Sequence, residues 1–85
     1  MIEGKQKILE NICYTELVYD RINKKLDTAF SKKQIEAYLY KVLADTNERY
    51  FTKRGKNFYV MNTAHSIRVT INSFTFRIIT VDRIP

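Results

Sequence analysis

The chain has 85 residues, 45% of them apolar, and a formal net charge of +6. This length suits a single domain over residues 1–85, and the apolar content is enough for one hydrophobic core. Two glycines and one proline are too few for a linker or a disordered chain, and no apolar run is long enough to cross a membrane. A single cysteine excludes an internal disulfide, which favours a reducing, cytoplasmic location.

The positive charge is concentrated in the second half of the chain. Residues 1–47 hold eight basic and seven acidic side chains, whereas residues 48–85 hold seven basic and two acidic ones. Such an asymmetry indicates an anionic partner, of which nucleic acid is the usual one. It has a simpler explanation as well, because any small protein needs some net charge to stay in solution.

The first half predicts three helices. The second of them has an apolar stripe at four-residue spacing, formed by Val18, Ile22 and Leu26. The third has the clearest start, because Ser31 and Gln34 have the spacing of a capping box, in which each side chain bonds the other residue's amide.

From Arg49 onward the apolar residues alternate with polar ones, which predicts four strands. Turns are expected at Gly55, over residues 62–65 and at Asn72-Ser73. These turns place one apolar set on a common inner face. Its members are Phe51, Phe58, Val60, Ile67, Val69, Ile71, Phe74, Phe76 and Ile78.

The predicted fold class is therefore α+β. Three N-terminal helices, over about residues 5–46, pack on one face of a four-stranded antiparallel β-meander over about residues 49–82. A winged helix is an alternative, although the third helix leads directly into the strands without a helix-turn-helix pair before the wing.

The outer face of this sheet is the candidate binding surface. The predicted register aligns Tyr59, Arg68 and Arg77 in one row, with the two arginines directly opposite each other. Facing arginines repel unless an anion lies between them, arginine suits phosphate, and tyrosine rings stack on bases. The simpler explanation is that tyrosine favours strands and arginine favours solvent. The expected nucleic-acid or partner-binding residues are Tyr50, Lys53, Arg54, Lys56, Tyr59, Arg68 and Arg77.

Two further surfaces are candidates for partners. Met61, Ile79 and Val81 are expected beside the arginine row, where an exposed apolar patch would suit a protein partner or a homodimer unless the C-terminal tail covers it. A second basic cluster lies between the second and third helices, although a solvated helix face explains it equally well. Its members are Arg21, Lys24, Lys25, Lys32 and Lys33.

No residue pattern indicates catalysis, a metal or a cofactor. His65 is the only histidine and has no carboxylate or cysteine near it in sequence to orient it as a base. Cys13 is expected to be a small core residue. One histidine and one cysteine do not make a zinc site of the usual kinds, and no nucleotide-binding or nucleophile-elbow motif is present.

Three stretches of the chain resemble a family of small bacterial proteins catalogued only as a domain of unknown function. They are residues 11–19 (NICYTELVY), residues 21–26 (RINKKL), and residues 67–73 (IRVTINS) together with 78–82 (IITVD). The resemblance spans nearly the whole chain and implies a bacterial or phage origin. It implies no active site.

The leading functional hypothesis is a small, basic, non-enzymatic module that binds nucleic acid or a nucleoprotein complex. The alternative is a phage-type inhibitor or adaptor that binds a protein, such as a CRISPR effector nuclease. A third is a small ribonuclease toxin that uses His65, Arg68, Arg77 and Tyr59.

Overall fold

Three helices precede a four-stranded antiparallel sheet in the computed structural model, which describes residues 4–85. The predicted α+β class is confirmed, and the strands lie in the order in which they follow one another along the chain. The elements are α1 (Gly4–Asn11), α2 (Glu16–Leu26), α3 (Lys32–Asp45), a 3-10 turn (Glu48–Tyr50), β1 (Phe51–Arg54), β2 (Asn57–Asn62), β3 (Ile67–Asn72) and β4 (Ile78–Arg83).

The helix ends are held by side chains. The capping box is present, because the Gln34 amide donates to Ser31 Oγ at 3.1 Å and the Ser31 amide donates to Gln34 Oε1 at 2.8 Å. Thr15 occupies the N-cap of α2 but its side chain makes no cap bond. Lys5 Nζ donates to the carbonyls of Ala44 and Thr46 at the C-terminal end of α3, where a positive charge is favourable.

One core cluster joins the helices to the inner face of the sheet. The helical part includes Val18, Ile22 and Leu26, as the four-residue spacing predicts. Most of the predicted inner-face residues belong to it as well, but Phe74 is 71% exposed and Val81, expected outside, is fully buried. Both differences come from the last hairpin.

The first hairpin follows the prediction. Phe51 lies opposite Val60, and Gly55 with Lys56 forms the two-residue turn. In the second hairpin the turn is residues 63–66, one residue later than predicted, so that Val60 pairs with Val69 instead of Ile67. Because this register differs by two residues, each side chain keeps its predicted face.

The predicted two-residue turn at Asn72-Ser73 is wrong. Asn72 uses its side-chain oxygen to accept hydrogen bonds from the amides of Phe74 and Thr75, at 2.8 and 2.9 Å, and this side-chain turn competes with a tight hairpin. The connection therefore runs over residues 73–77, and Phe76 adopts a φ of 60°. Its ring stacks on Phe58 with centroids 6.5 Å apart.

The longer loop changes the register of β4. Thr70 pairs with Thr80 and Ile71 with Ile78, so that Ile79 is an extra residue in a bulge. The bulge turns Val81 into the core, and Arg68 lies opposite Asp82. The predicted pairing of Arg68 with Arg77 is therefore wrong.

Arg77 pairs instead with the connection between α1 and α2. Cys13 and Arg77 form an isolated parallel bridge, with the Cys13 amide donating to the Phe76 carbonyl at 3.0 Å and the Ile78 amide donating to the Cys13 carbonyl at 2.9 Å. This bridge fixes the start of β4 beside the N-terminal end of α2.

Within residues 4–85, no helix is both long enough and apolar enough to span a bilayer.

Candidate functional site

The face of the sheet turned away from the helices contains a concavity of about 440 Å³, which we call the outer groove. Its lining comes from the residue before β1 and from alternate positions of β1, β2 and β3, because successive side chains of a strand point to opposite faces. The lining residues are Tyr50, Thr52, Arg54, Tyr59, Met61 and Arg68. Four of these were predicted as binding residues, and Met61 was expected beside them.

Tyr59 and Arg68 are neighbours, although not in the predicted way. Tyr59 lies opposite Thr70, and Arg68 lies opposite Met61. The two residues are therefore diagonal neighbours, and the guanidinium carbon of Arg68 is 6.0 Å from the centroid of the Tyr59 ring. That separation is at the outer limit of a cation–π contact.

Arg68 is positioned by an acidic residue that sequence reasoning missed. Its Nη2 lies 3.5 Å from Asp82 Oδ2, and the other carboxylate oxygen, Oδ1, lies 2.8 Å from Lys25 Nζ on α2. The hydrogen bond from Lys25 is the main cause that lowers the pKa of Asp82 below its ordinary value, and Arg68 adds to it. The bulge that aligns Asp82 with Arg68 has no clear sequence pattern, so only a correct β4 register could have revealed this contact.

Arg68 retains unused hydrogen-bonding capacity. A guanidinium has five N–H donors, and one bond at 3.5 Å to Asp82 is long for a charge-assisted pair. Its Nε is buried and has no hydrogen-bond partner in the described part of the chain. An unpaired buried donor costs about 1–3 kcal/mol, so an anion that reorients the side chain would remove that cost.

The three turn cations do not share one face. Arg54 lines the outer groove, whereas Lys53 lies opposite Phe58 on the face that the helices cover. Lys56 is in the turn itself, and its carbonyl accepts a hydrogen bond from the Ser73 amide at 2.7 Å. All three are exposed, and none forms an ion pair with any residue that the structure describes.

Arg77 is not part of the outer groove. It lines a separate pocket of about 260 Å³, which we call the α2–β4 pocket. Tyr59, Arg68 and Arg77 were predicted as one row, and the structure brings together only the first two. The loop that displaces Arg77 is the one that Asn72 closes with its side chain.

His65 lies in a third cavity, of about 330 Å³, which is lined by the C-terminal end of α2, Tyr38 of α3, the second hairpin and the end of β4. Its ring meets Tyr38 edge-on, with centroids 5.8 Å apart. His65, Arg68 and Arg77 therefore line three different cavities. The ribonuclease hypothesis needed these residues together, and the structure does not bring them together.

Cys13, expected in the core, is exposed instead because it pairs with the edge of the sheet at Arg77. Among residues 4–85, no group of three or more histidine, cysteine, aspartate or glutamate side chains is placed to hold a metal ion.

The basic cluster between α2 and α3 is partly neutralised. Lys32 pairs with Glu16 and lies 5.4 Å from the centroid of the Tyr19 ring, while Lys25 pairs with Asp82. The Tyr19 hydroxyl donates to Glu36 at 2.6 Å, and this hydrogen bond raises the pKa of Tyr19 to about 12. Lys25 and Lys32 are therefore ion-paired, whereas Arg21, Lys24 and Lys33 form no ion pair with any residue that the structure describes.

A family model described as "Protein of unknown function (DUF3781)" matches residues 6–82, which include most of α1 and almost all of the sheet. A search of curated proteins and a search of solved structures each found no significant match. The family match agrees with the resemblance found in the sequence.

Proposed function

We propose that this chain, which belongs to the family of unknown function DUF3781, is a non-enzymatic module that binds single-stranded nucleic acid in the outer groove. The observation that carries the proposal is the composition of the groove. Two tyrosines and two arginines, Tyr50, Tyr59, Arg54 and Arg68, line one concavity on the uncovered face of the sheet.

The two tyrosines supply stacking surfaces. Tyr50 is 46% exposed and Tyr59 is half-buried with one face toward Arg68. A base that stacks on an aromatic ring contributes about 1–3 kcal/mol, and it must first be unstacked from its neighbours. This requirement favours a single strand over a duplex, whose bases are not free to stack on the protein.

The two arginines supply phosphate contacts on either side of Tyr59. Arg54 is exposed on β1, and Arg68 on β3 has donors left beyond its bond to Asp82. Among the described residues no carboxylate lines the outer groove. Its electrostatic potential is therefore suited to a phosphate backbone, in a chain whose net charge is already +6.

The proposal includes a reducing, cytoplasmic setting. Cys13 is exposed and free, and such a thiol persists unmodified most readily where glutathione and thioredoxin keep cysteines reduced.

The test is fluorescence anisotropy with labelled oligo-dT, oligo-U and a DNA duplex. Tyr59→Leu is expected to weaken single-strand binding about tenfold, because it removes one stacking ring. Tyr40→Leu is the matched control, since Tyr40 is an exposed tyrosine on α3 that does not line the groove. Equal affinity of the two variants, or tighter binding of the duplex than of either single strand, would contradict the proposal.

A further inference from the structure

The α2–β4 pocket combines an aliphatic floor with basic residues. Val18 and Ile78 are buried and form its base, and Leu17 on the first turn of α2 is 79% exposed beside them. The full lining is Thr15, Leu17, Val18, Arg21, Arg77, Ile78 and Ile79. Covering the apolar surface of a leucine this exposed with a partner is favourable, because it removes that surface from water.

Arg21 and Arg77 give the pocket its charge. Neither forms an ion pair with another residue in the described range, and no carboxylate from that range lines the pocket. Glu16, which directly precedes Leu17 in the sequence, forms an ion pair with Lys32 of α3. The two guanidinium groups are therefore available to carboxylates, which arginine binds in a bidentate geometry.

The position of Arg77 is fixed by the backbone. The isolated bridge to Cys13 ties the residue to the segment that precedes α2, and the hydrogen bond between the Ile78 amide and the Cys13 carbonyl is 2.9 Å long. The distance between the two arginine-bearing segments is thus set by the fold before any partner arrives. Such preorganisation lowers the entropic cost of binding.

No aromatic ring lines this pocket, in contrast to the outer groove. Without a ring there is no stacking surface for a base, whereas an aliphatic floor accepts an apolar side chain. We infer that the α2–β4 pocket docks an acidic peptide segment of a protein partner, with one apolar side chain on the floor and flanking carboxylates on Arg21 and Arg77. This surface is separate from the outer groove and does not depend on nucleic-acid binding.

The probe is a short fluorescein-labelled peptide in which leucine alternates with glutamate, compared with one in which leucine alternates with lysine. The wild-type protein is expected to bind the acidic peptide and not the basic one. Arg21→Gln with Arg77→Gln should weaken binding about tenfold, because it removes the two cations that bind the carboxylates. Leu17→Gln should weaken it about fivefold, because it removes the exposed apolar side chain. Lys33→Gln, which removes an exposed charge outside the pocket, is the control and should change nothing.

A charge reversal provides a second readout that loss of folding cannot imitate. Arg21→Glu with Arg77→Glu should transfer binding to the lysine peptide, and thermal melting should show an intact fold because both residues are exposed. Failure of the wild type to bind the acidic peptide at low salt would overturn the inference. So would retention on phosphatidylglycerol vesicles that depends on Leu17 without peptide binding, because the occupant would then be a membrane surface.

The peptide proposal and the nucleic-acid proposal can each be contradicted without the other. Leu17→Gln should leave oligo-dT affinity unchanged, and Tyr59→Leu should leave peptide affinity unchanged. If Arg77→Gln lowers oligo-dT affinity and leaves peptide affinity unaltered, the pocket belongs to the nucleic-acid path and the peptide inference is wrong.

Discussion

Arg68 is the residue that best shows how the outer groove is built. Its guanidinium lies over the Tyr59 ring on one side and beside Asp82 on another, and Asp82 is itself held by Lys25 of α2. One chain of ion pairs therefore links α2 to the outer groove. The carboxylate restrains Arg68 without using all of its donors, which is the arrangement a phosphate-binding arginine needs.

Asp82 also makes a pH-dependent contribution to stability. Because its pKa is lower in the folded chain than its ordinary value, the interaction stabilises the fold above the ordinary aspartate pKa of about 3.9 and is lost as the pH falls through the folded pKa. Asp82→Asn should therefore lower the free energy of unfolding at about pH 7 and have a smaller effect at about pH 2. Urea denaturation at both pH values measures this, and an equal loss at both would mean that packing, not charge, is responsible.

The turns are the elements in which local chemistry decides the register. Gly55 has a φ of 59°, the left-handed conformation that a two-residue hairpin requires of its first turn residue. A Cβ added there would have no heavy atom within 4 Å, so Gly55→Ala tests the backbone alone. It should cost about 1 kcal/mol, because left-handed backbone is unfavourable for alanine.

Lys56→Ala is the control for this change, since Lys56 shares the turn and is absent from the residues with positive φ. Thermal melting compares the two. A melting temperature for Gly55→Ala at or above that of Lys56→Ala would show that the backbone conformation at Gly55 does not require glycine.

The capping box at the start of α3 allows a second test of how local side-chain bonds stabilise an element. Ser31→Ala removes a side-chain bond to the Gln34 amide and should cost about 1 kcal/mol of folding free energy. Thr15→Ala is the matched control, because Thr15 is the N-cap of α2 but makes no side-chain cap bond. Chemical denaturation should separate the two variants, and coincident midpoints would show that the capping box contributes nothing.

Periodicity and caps predicted the helices and strands. The register of β4 on β3 depended on which of two turns Asn72 forms, and periodicity does not decide between them. Asn72 can serve as a hairpin residue or as a side-chain acceptor for the two amides beyond it, and here it is the acceptor. That choice lengthens the connection to residues 73–77 and separates Arg77 from Arg68. Tyr59, Arg54 and Tyr50 lie before the loop, so their place in the groove was predictable. Arg77 lies after it and was misplaced, and the contact of Asp82 with Arg68 was missed.

At the scale of the whole molecule, the helices and the sheet share one core. Val69 is fully buried at the centre of it, between Val60 on β2 and Val81 on β4. Val69→Asp should abolish folding, because it places an unpaired charge among apolar side chains. Thr52→Asp, on the exposed outer face of β1, should remain folded.

Circular dichroism and thermal melting check this pair of variants. A soluble Val69→Asp protein that melts cooperatively would mean that the face assigned to the core is wrong.

The two proposed binding surfaces lie on different parts of the molecule and have different chemistry. The outer groove offers rings and cations on the sheet, and the α2–β4 pocket offers aliphatic side chains and cations beside a helix. They share no residue, so the two proposals together describe a chain that contacts nucleic acid and an acidic protein segment at the same time. That arrangement fits an adaptor in a nucleoprotein complex.

The central claim, that the outer groove binds the phosphate backbone of a single strand, is tested most directly by salt dependence. Oligo-dT affinity is measured over a range of salt concentrations for the wild type, for Arg54→Gln with Arg68→Gln, and for the control Arg21→Gln with Lys33→Gln. We predict that the groove variant binds more weakly and that its slope of log affinity against log salt is shallower by about 0.7 for each phosphate that the protein no longer neutralises. The control should keep the wild-type slope. Parallel slopes for all three proteins, or no binding by the wild type at low salt, would contradict the claim.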